Sequence, residues 1–117
     1  MTAPRPDSPS LAERASGALL AHAAGNALGV PTEFLHTPDA ILAEFPGGVR
    51  DIIRRDTPQS PFDDDVAMAL LLAEELLAGD VDLERLAGRW IRWLDTDGRG
   101  AGNWTRTALN HIRTHGS

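Results

Sequence analysis

Three consecutive aspartates, Asp63-Asp64-Asp65, precede the apolar run Val66-Ala67-Met68-Ala69-Leu70-Leu71-Leu72. Acids suit a helix start because the first N–H groups carry partial positive charge, each contact being worth about 0.3–1 kcal/mol. A cap needs one carboxylate, and three adjacent ones repel. Two unit charges about 4 Å apart cost about 4 kcal/mol at an effective dielectric near 20, and about 1 kcal/mol in bulk water. A solvated triplet is an acidic cap. A partly buried triplet calls for a cation or a shifted protonation, and hard cations such as Mg²⁺, Mn²⁺ and Ca²⁺ take oxygen ligands of this kind. Successive residues of a regular helix diverge by about 100°. Convergence therefore needs the turning backbone of a loop-to-helix junction, which is where this triplet falls.

Two other segments carry candidate chemistry. Glu33 lies in Gly29-Val30-Pro31-Thr32-Glu33-Phe34, directly after a run of small residues. Taken singly it reads as an exposed loop acid. Gly98-Arg99-Gly100-Ala101-Gly102-Asn103 is a glycine-rich loop before a helix, a place where backbone N–H groups can cradle phosphate. It follows a helix rather than a strand and lacks Gly-Lys-Ser/Thr, so it matches neither nucleotide-binding fingerprint, and a connector is the simpler reading. His22, His36, His111 and His115 form no metal pair beyond the i,i+4 couple at the C-terminal end. No serine sits in a nucleophile-elbow context.

The elements that must hold these residues read as helices. Ser10-Leu11-Ala12-Glu13 has capping-box spacing, and the helix it opens runs to about Leu28, with Gly29 as its stop and Pro31 beyond. Its interior is small (Ala15, Gly17, Ala18, Ala21, Ala24, Gly25), which predicts close packing at the centre of the fold. Thr37-Pro38 opens a short helix ending at Gly47-Gly48. Residues 49–60 are irregular and charged, with Val49, Ile52 and Ile53 a weak extended signal. A third helix runs from about Asp64 to Ala78, apolar on most sides and so expected to be buried. A fourth, capped by Asp80 or Asp82, runs to about Leu94 with a stripe of Leu83, Leu86, Ala87, Trp90, Ile91 and Leu94, and with Arg85, Arg89 and Arg92 opposite. A fifth follows Asn103 and carries Thr105 to Arg113. The fold class is all-α, a compact bundle of about five helices, with residues 1–9 a disordered tail and 10–117 one domain.

Bulk composition narrows the partners. The chain has 117 residues and a formal charge of −6, with an isoelectric point near 5.0. All 11 basic residues are arginine. A general affinity for nucleic acid or anionic membrane is not expected. The absence of cysteine excludes disulfides and thiolate metal sites. No apolar run approaches the ~20 residues of a membrane span, and the Pro-rich start lacks a signal-peptide core, so the expected location is cytoplasmic.

Three segments in order resemble a known family. Gly25-Asn26-Ala27-Leu28-Gly29-Val30-Pro31-Thr32-Glu33-Phe34 is similar to the Gly-Asp-Ala-Leu-Gly-x-Pro-x-Glu-Phe opening of the ADP-ribosylglycohydrolases, which include the dinitrogenase reductase-activating glycohydrolases. Asp63-Asp64-Asp65-Val66-Ala67-Met68-Ala69-Leu70 resembles their Thr-Asp-Asp-Thr-x-Met-Ala-Leu, and Gly100-Ala101-Gly102-Asn103-Trp104-Thr105-Arg106 their Asp-Ile-Gly-Asn-Thr-Thr-Arg. The resemblance runs from about Leu11 to the last helix. It implies an all-α hydrolase that removes ADP-ribose from modified side chains at a two-metal centre of Mg²⁺ or Mn²⁺. It further implies metal-ligand roles for Asp63, Asp64 and Asp65, a catalytic or gating role for Glu33, and substrate contacts at Gly102 and Asn103. In such chemistry two cations orient the ribose hydroxyls and activate water for attack at the anomeric carbon, with a carboxylate taking a proton or stabilising an oxocarbenium-like centre.

The chain departs from the pattern at three positions: Asn26 replaces an Asp, Val66 a Thr and Gly100 an Asp. The family's later Asp-x-Asp-Thr segment, which completes the metal site, has no counterpart, since Asp95-Thr96-Asp97 falls in the wrong place. The expectation is an N-terminal portion of the family fold that needs a C-terminal half for turnover. The alternative is a catalytically inactive helical module that self-associates or binds a partner through its uncovered apolar faces.

Overall fold

The computed structural model describes residues 8–53 and 61–116. The N-terminal tail up to residue 7 and most of the charged 49–60 segment lie outside these bounds. Among the described residues the chain is all-α, with five helices and no strand, so Val49, Ile52 and Ile53 do not form an extended element.

α1 spans Leu11–Gly29 and begins with the expected capping box. The Glu13 backbone N–H donates to Ser10 Oγ at 3.2 Å, and the Ser10 N–H donates back to Glu13 Oε2 at 2.8 Å. α1 ends at Gly29 as expected, but without a left-handed turn. Gly29 keeps a right-handed backbone and leads into a 3-10 turn, Val30–Thr32. Pro31 has no N–H to continue the α-helical ladder, so the turn tightens there instead of breaking. α2, Pro38–Glu44, starts under the Thr37 cap as expected but ends before Gly47.

α3 spans Asp64–Leu77, and Gly79 turns the chain at φ +128°. α4, Leu83–Thr96, is capped by Asp82, whose Oδ1 accepts from the Arg85 N–H at 2.9 Å. α5 spans Asn103–His115. Among the described residues, no helix is long and apolar enough to cross a membrane.

The core is small and lies where α3, α4 and the start of α5 meet. Val66, Leu86, Ala87, Trp93, Ala101 and Leu109 are buried in it. The face that α4 buries holds most of the expected stripe, with Leu86 and Ala87 buried and Trp90, Ile91 and Leu94 half-buried, but Leu83 is 74% exposed and Trp93 is enclosed. The polar contacts of α4 also point inward. Trp90 Nε1 donates to the Met68 carbonyl at 3.2 Å, and Arg85 and Arg89 turn toward α3 rather than to solvent. They meet Glu75, whose side chain is wholly enclosed.

α1 is not the packed central helix its small residues suggested. Only Ala27 is buried, and a Cβ built on Gly17 or Gly25 meets nothing within 4 Å. α3 likewise buries only Val66 and Glu75, while Leu77 is 88% exposed. The last two turns of α1, from His22 on, are what matters for the site, because they grip the start of α3.

Candidate metal centre

Asp63 occupies the cap position of α3 with ψ −144°, and its side chain makes no capping hydrogen bond. Ser10, Thr37 and Asp82 all cap their helices with side-chain oxygens. The acidic-cap role therefore does not account for Asp63. Asp63, Asp64 and Asp65 instead each offer a carboxylate oxygen within 4.8 Å of the others. Asp63 and Asp64 are half-buried, and Asp65 is exposed. The junction geometry achieves what a regular helix cannot, three successive side chains aimed at one region.

Two residues of α1 hold this arrangement. Asn26 Oδ1 accepts the Asp63 backbone N–H at 2.9 Å. Its Nδ2 donates to Asp63 Oδ1 at 2.7 Å and to Asp65 Oδ2 at 3.3 Å. One turn earlier, His22 Nε2 lies 3.2 Å from the Asp65 carbonyl oxygen. That oxygen can only accept, so the contact is a hydrogen bond when Nε2 carries the proton. The i,i+4 spacing of His22 and Asn26 puts both on one face of α1, and it was the available sequence signal for this pair.

No ion pair reaches the triad among the described residues. Burial pushes the Asp64 carboxyl above the usual carboxylate range, and the charges of Asp63, Asp65 and Glu33 add to the rise. A partly buried set of carboxylate oxygens with no ion pair among the described residues is a donor set that fits a hard divalent cation. The Asp95-Thr96-Asp97 segment is committed elsewhere. Asp95 pairs with Arg113 at 2.6 Å and Asp97 with Arg99 at 2.8 Å.

A groove of about 270 Å³ opens beside Asp63 and is walled by Pro31, Glu33, Phe34, Phe62, Arg99 and Gly100. A second, of about 280 Å³, shares Glu33 and Asp63 and reaches Asn26 and Asp65. Glu33 is thus an exposed acid on both grooves, which Asp63 shares and one of which Asp65 also lines. Gly102 and Asn103 line neither groove. Gly102 is the cap residue of α5, and Asn103 is its exposed first residue.

The departures acquire physical reasons. Gly100 has φ +76°, and a Cβ there would stand 2.5 Å from Asp64 Oδ1 and 2.8 Å from Asp63 Cβ. Only glycine fits this backbone this close to the triad. Val66 is 1% exposed, and at such a site a threonine hydroxyl would need a partner that a methyl does not. The loop carrying Gly100 is fastened by Arg106, which donates to the Ala101 carbonyl at 2.9 Å and the Gly98 carbonyl at 3.0 Å.

With this geometry in place, the chain can be set among known proteins. The chain belongs to the ADP-ribosylglycohydrolase family, whose sequence model matches residues 7–117. It is similar to the ADP-ribosylarginine hydrolase Tri1 of Serratia proteamaculans (strain 568), at 33% identity over 120 residues. That span takes in 96% of this chain and 31% of the relative, so the chain spans about a third of the relative's length. No solved structure matches.

Proposed function

We propose that this chain supplies the aspartate side of an ADP-ribosyl glycohydrolase centre. Its ligands for Mg²⁺ or Mn²⁺ are Asp63, Asp64 and Asp65, and its reaction is hydrolysis of the glycosidic link between ADP-ribose and a modified side chain. Residues corresponding to the rest of the relative's length complete turnover. The observation that carries this reading is the convergence of three carboxylates within 4.8 Å, two of which, Asp63 and Asp65, line a groove with Glu33. What a bound cation supplies is Lewis acidity toward the ribose hydroxyls and a more acidic water.

The chain's own residues do the rest. Asn26 and His22 fix the ligands from α1. Phe34 and Phe62 give the groove apolar walls against which a ribose or base can lie. Glu33, through its carboxylate oxygens, accepts a proton from the attacking water or faces the charge developing at the anomeric carbon. Arg99 also lines the groove beside Asp63, with its guanidinium paired to Asp97.

The test is a Mn²⁺ titration followed by electron paramagnetic resonance, with and without ADP-ribose, on wild type and Asp64→Ala. Wild type should bind Mn²⁺ and bind it more tightly with ADP-ribose, and Asp64→Ala should lose at least tenfold in affinity. Equal binding by both proteins sinks the reading.

The second reading is a non-catalytic helical module. It is favoured by the exposure of Leu76, Leu77 and Leu83 around the α3–α4 turn, at 56%, 88% and 74%. Sedimentation showing a monomer at high concentration, with no binding of an apolar dye, counts against it.

A further inference from the structure

The sequence comparison makes Asn26 a loss, an acid exchanged for an amide. The geometry assigns it a different role. The Asp63 backbone N–H can only donate, so the Asn26 atom facing it at 2.9 Å is the carbonyl oxygen. The amide NH₂ then faces Asp63 Oδ1 at 2.7 Å and Asp65 Oδ2 at 3.3 Å, one donor toward each of two neighbouring carboxylates. An aspartate at position 26 would turn that donor into an anionic oxygen and set it against Asp63 Oδ1.

We propose that Asn26 is a positioning residue that replaces counter-charge within the triad. Its amide holds Asp63 and Asp65 in place when no cation is bound, and it leaves the Asp64 oxygens and the outer oxygens of Asp63 and Asp65 to receive one. The cation-free chain is thereby already in the ligand arrangement. Asn26→Asp removes the donor but adds a carboxylate, so the cation must then do what the amide did. Asn26→Ala removes the donor and adds nothing. The two variants therefore move cation affinity in opposite directions while both weaken the cation-free fold. A purely structural role for the amide does not predict that opposition.

This inference rests on the triad being a cation site, and the experiment separates the two claims. Thermal midpoints of wild type, Asn26→Asp and Asn26→Ala are measured in chelator. Mn²⁺ affinity is then measured for all three by electron paramagnetic resonance at one pH near 7.5. Both variants should melt below wild type in chelator. Asn26→Asp should bind Mn²⁺ about tenfold more tightly than wild type, and Asn26→Ala about 10–100-fold more weakly. The midpoint of Asn26→Asp should recover on adding Mn²⁺ by more than that of wild type.

An Asn26→Asp protein as stable as wild type in chelator overturns the proposal, as does an unchanged Mn²⁺ affinity in both variants. Failure of wild type itself to bind Mn²⁺ overturns the parent reading. That result is distinguishable because the chelator midpoints are read without metal. If Asn26→Ala does not fold, the Asn26→Asp pair of measurements still decides.

Discussion

The two ends of α3 carry carboxylates in opposite circumstances. At its C-terminal end Glu75 is fully enclosed, receives Arg85 and Arg89 from α4, and accepts the Asp82 N–H at 3.2 Å. At its N-terminal start Asp63, Asp64 and Asp65 crowd one another with no ion pair among the described residues. The Arg85 guanidinium, aided by Asp82 N–H and Arg89, holds Glu75 below the usual carboxylate range. Burial and neighbouring charge push Asp64 above it. One helix thus separates a charge neutralised from within from a charge left for something outside. The first is architecture, and the second fits a ligand site.

Breaking the neutralised end should have the largest effect. Glu75→Gln leaves two guanidinium groups facing an enclosed neutral amide, and the thermal midpoint should fall by on the order of 10 °C in circular-dichroism melts. The pH response should change with it. A carboxyl whose pKa is lowered on folding contributes stability above its unfolded value, and that stability is lost as pH falls through the folded value. Wild type should lose stability on that acid limb, and Glu75→Gln should lose less there. A variant as stable as wild type would place the helix contact elsewhere.

The roof over the triad comes next. Gly100→Ala forces a Cβ into Asp64 Oδ1 on a left-handed backbone, so urea unfolding should show a loss of about 1–3 kcal/mol. Mn²⁺ affinity should fall in the same variant. Wild-type values for both would show that the loop has room to move away.

The smallest effect on stability, and opposite in sign, belongs to the unneutralised end. A carboxyl whose pKa is raised on folding gives stability that is full below its unfolded value, near 3.9 for aspartate, and is lost as pH rises through the folded value. Asp64→Asn should remove that loss and raise the cation-free midpoint at neutral pH by about 2 °C. A fall in the midpoint would mean that Asp64 is held by partners after all, and the contrast between the helix ends would disappear.

Local signals carried much of the fold. Ser10 with Glu13, and Thr37 with Pro38, specify helix starts from a few adjacent residues, and both starts occur where those residues stand. The triad's convergence was also legible, because the loop-to-helix junction that permits it is a local feature. What stayed hidden depended on residues arriving from other helices. Glu75 is an acid within an apolar run, and its partners Arg85 and Arg89 come from α4. Asn26 looked like a missing acid until the α3 N–H it accepts and the oxygens it feeds were placed. The exposure of α1 was illegible for the same reason: small residues permit close packing but do not supply a neighbour.

The guanidinium of Arg106 gives the site an order of assembly. It fastens the carbonyls of Gly98 and Ala101 from one turn into α5. The backbone that closes over the aspartates is therefore tethered by a residue that follows it in the chain. During synthesis α1 and α3 can meet and set Asn26 against Asp63 well before that tether exists. The aspartates remain accessible from the roof side until Arg106 has left the ribosome and its helix has formed. On this order the ligand arrangement precedes the cover that Gly100 gives it.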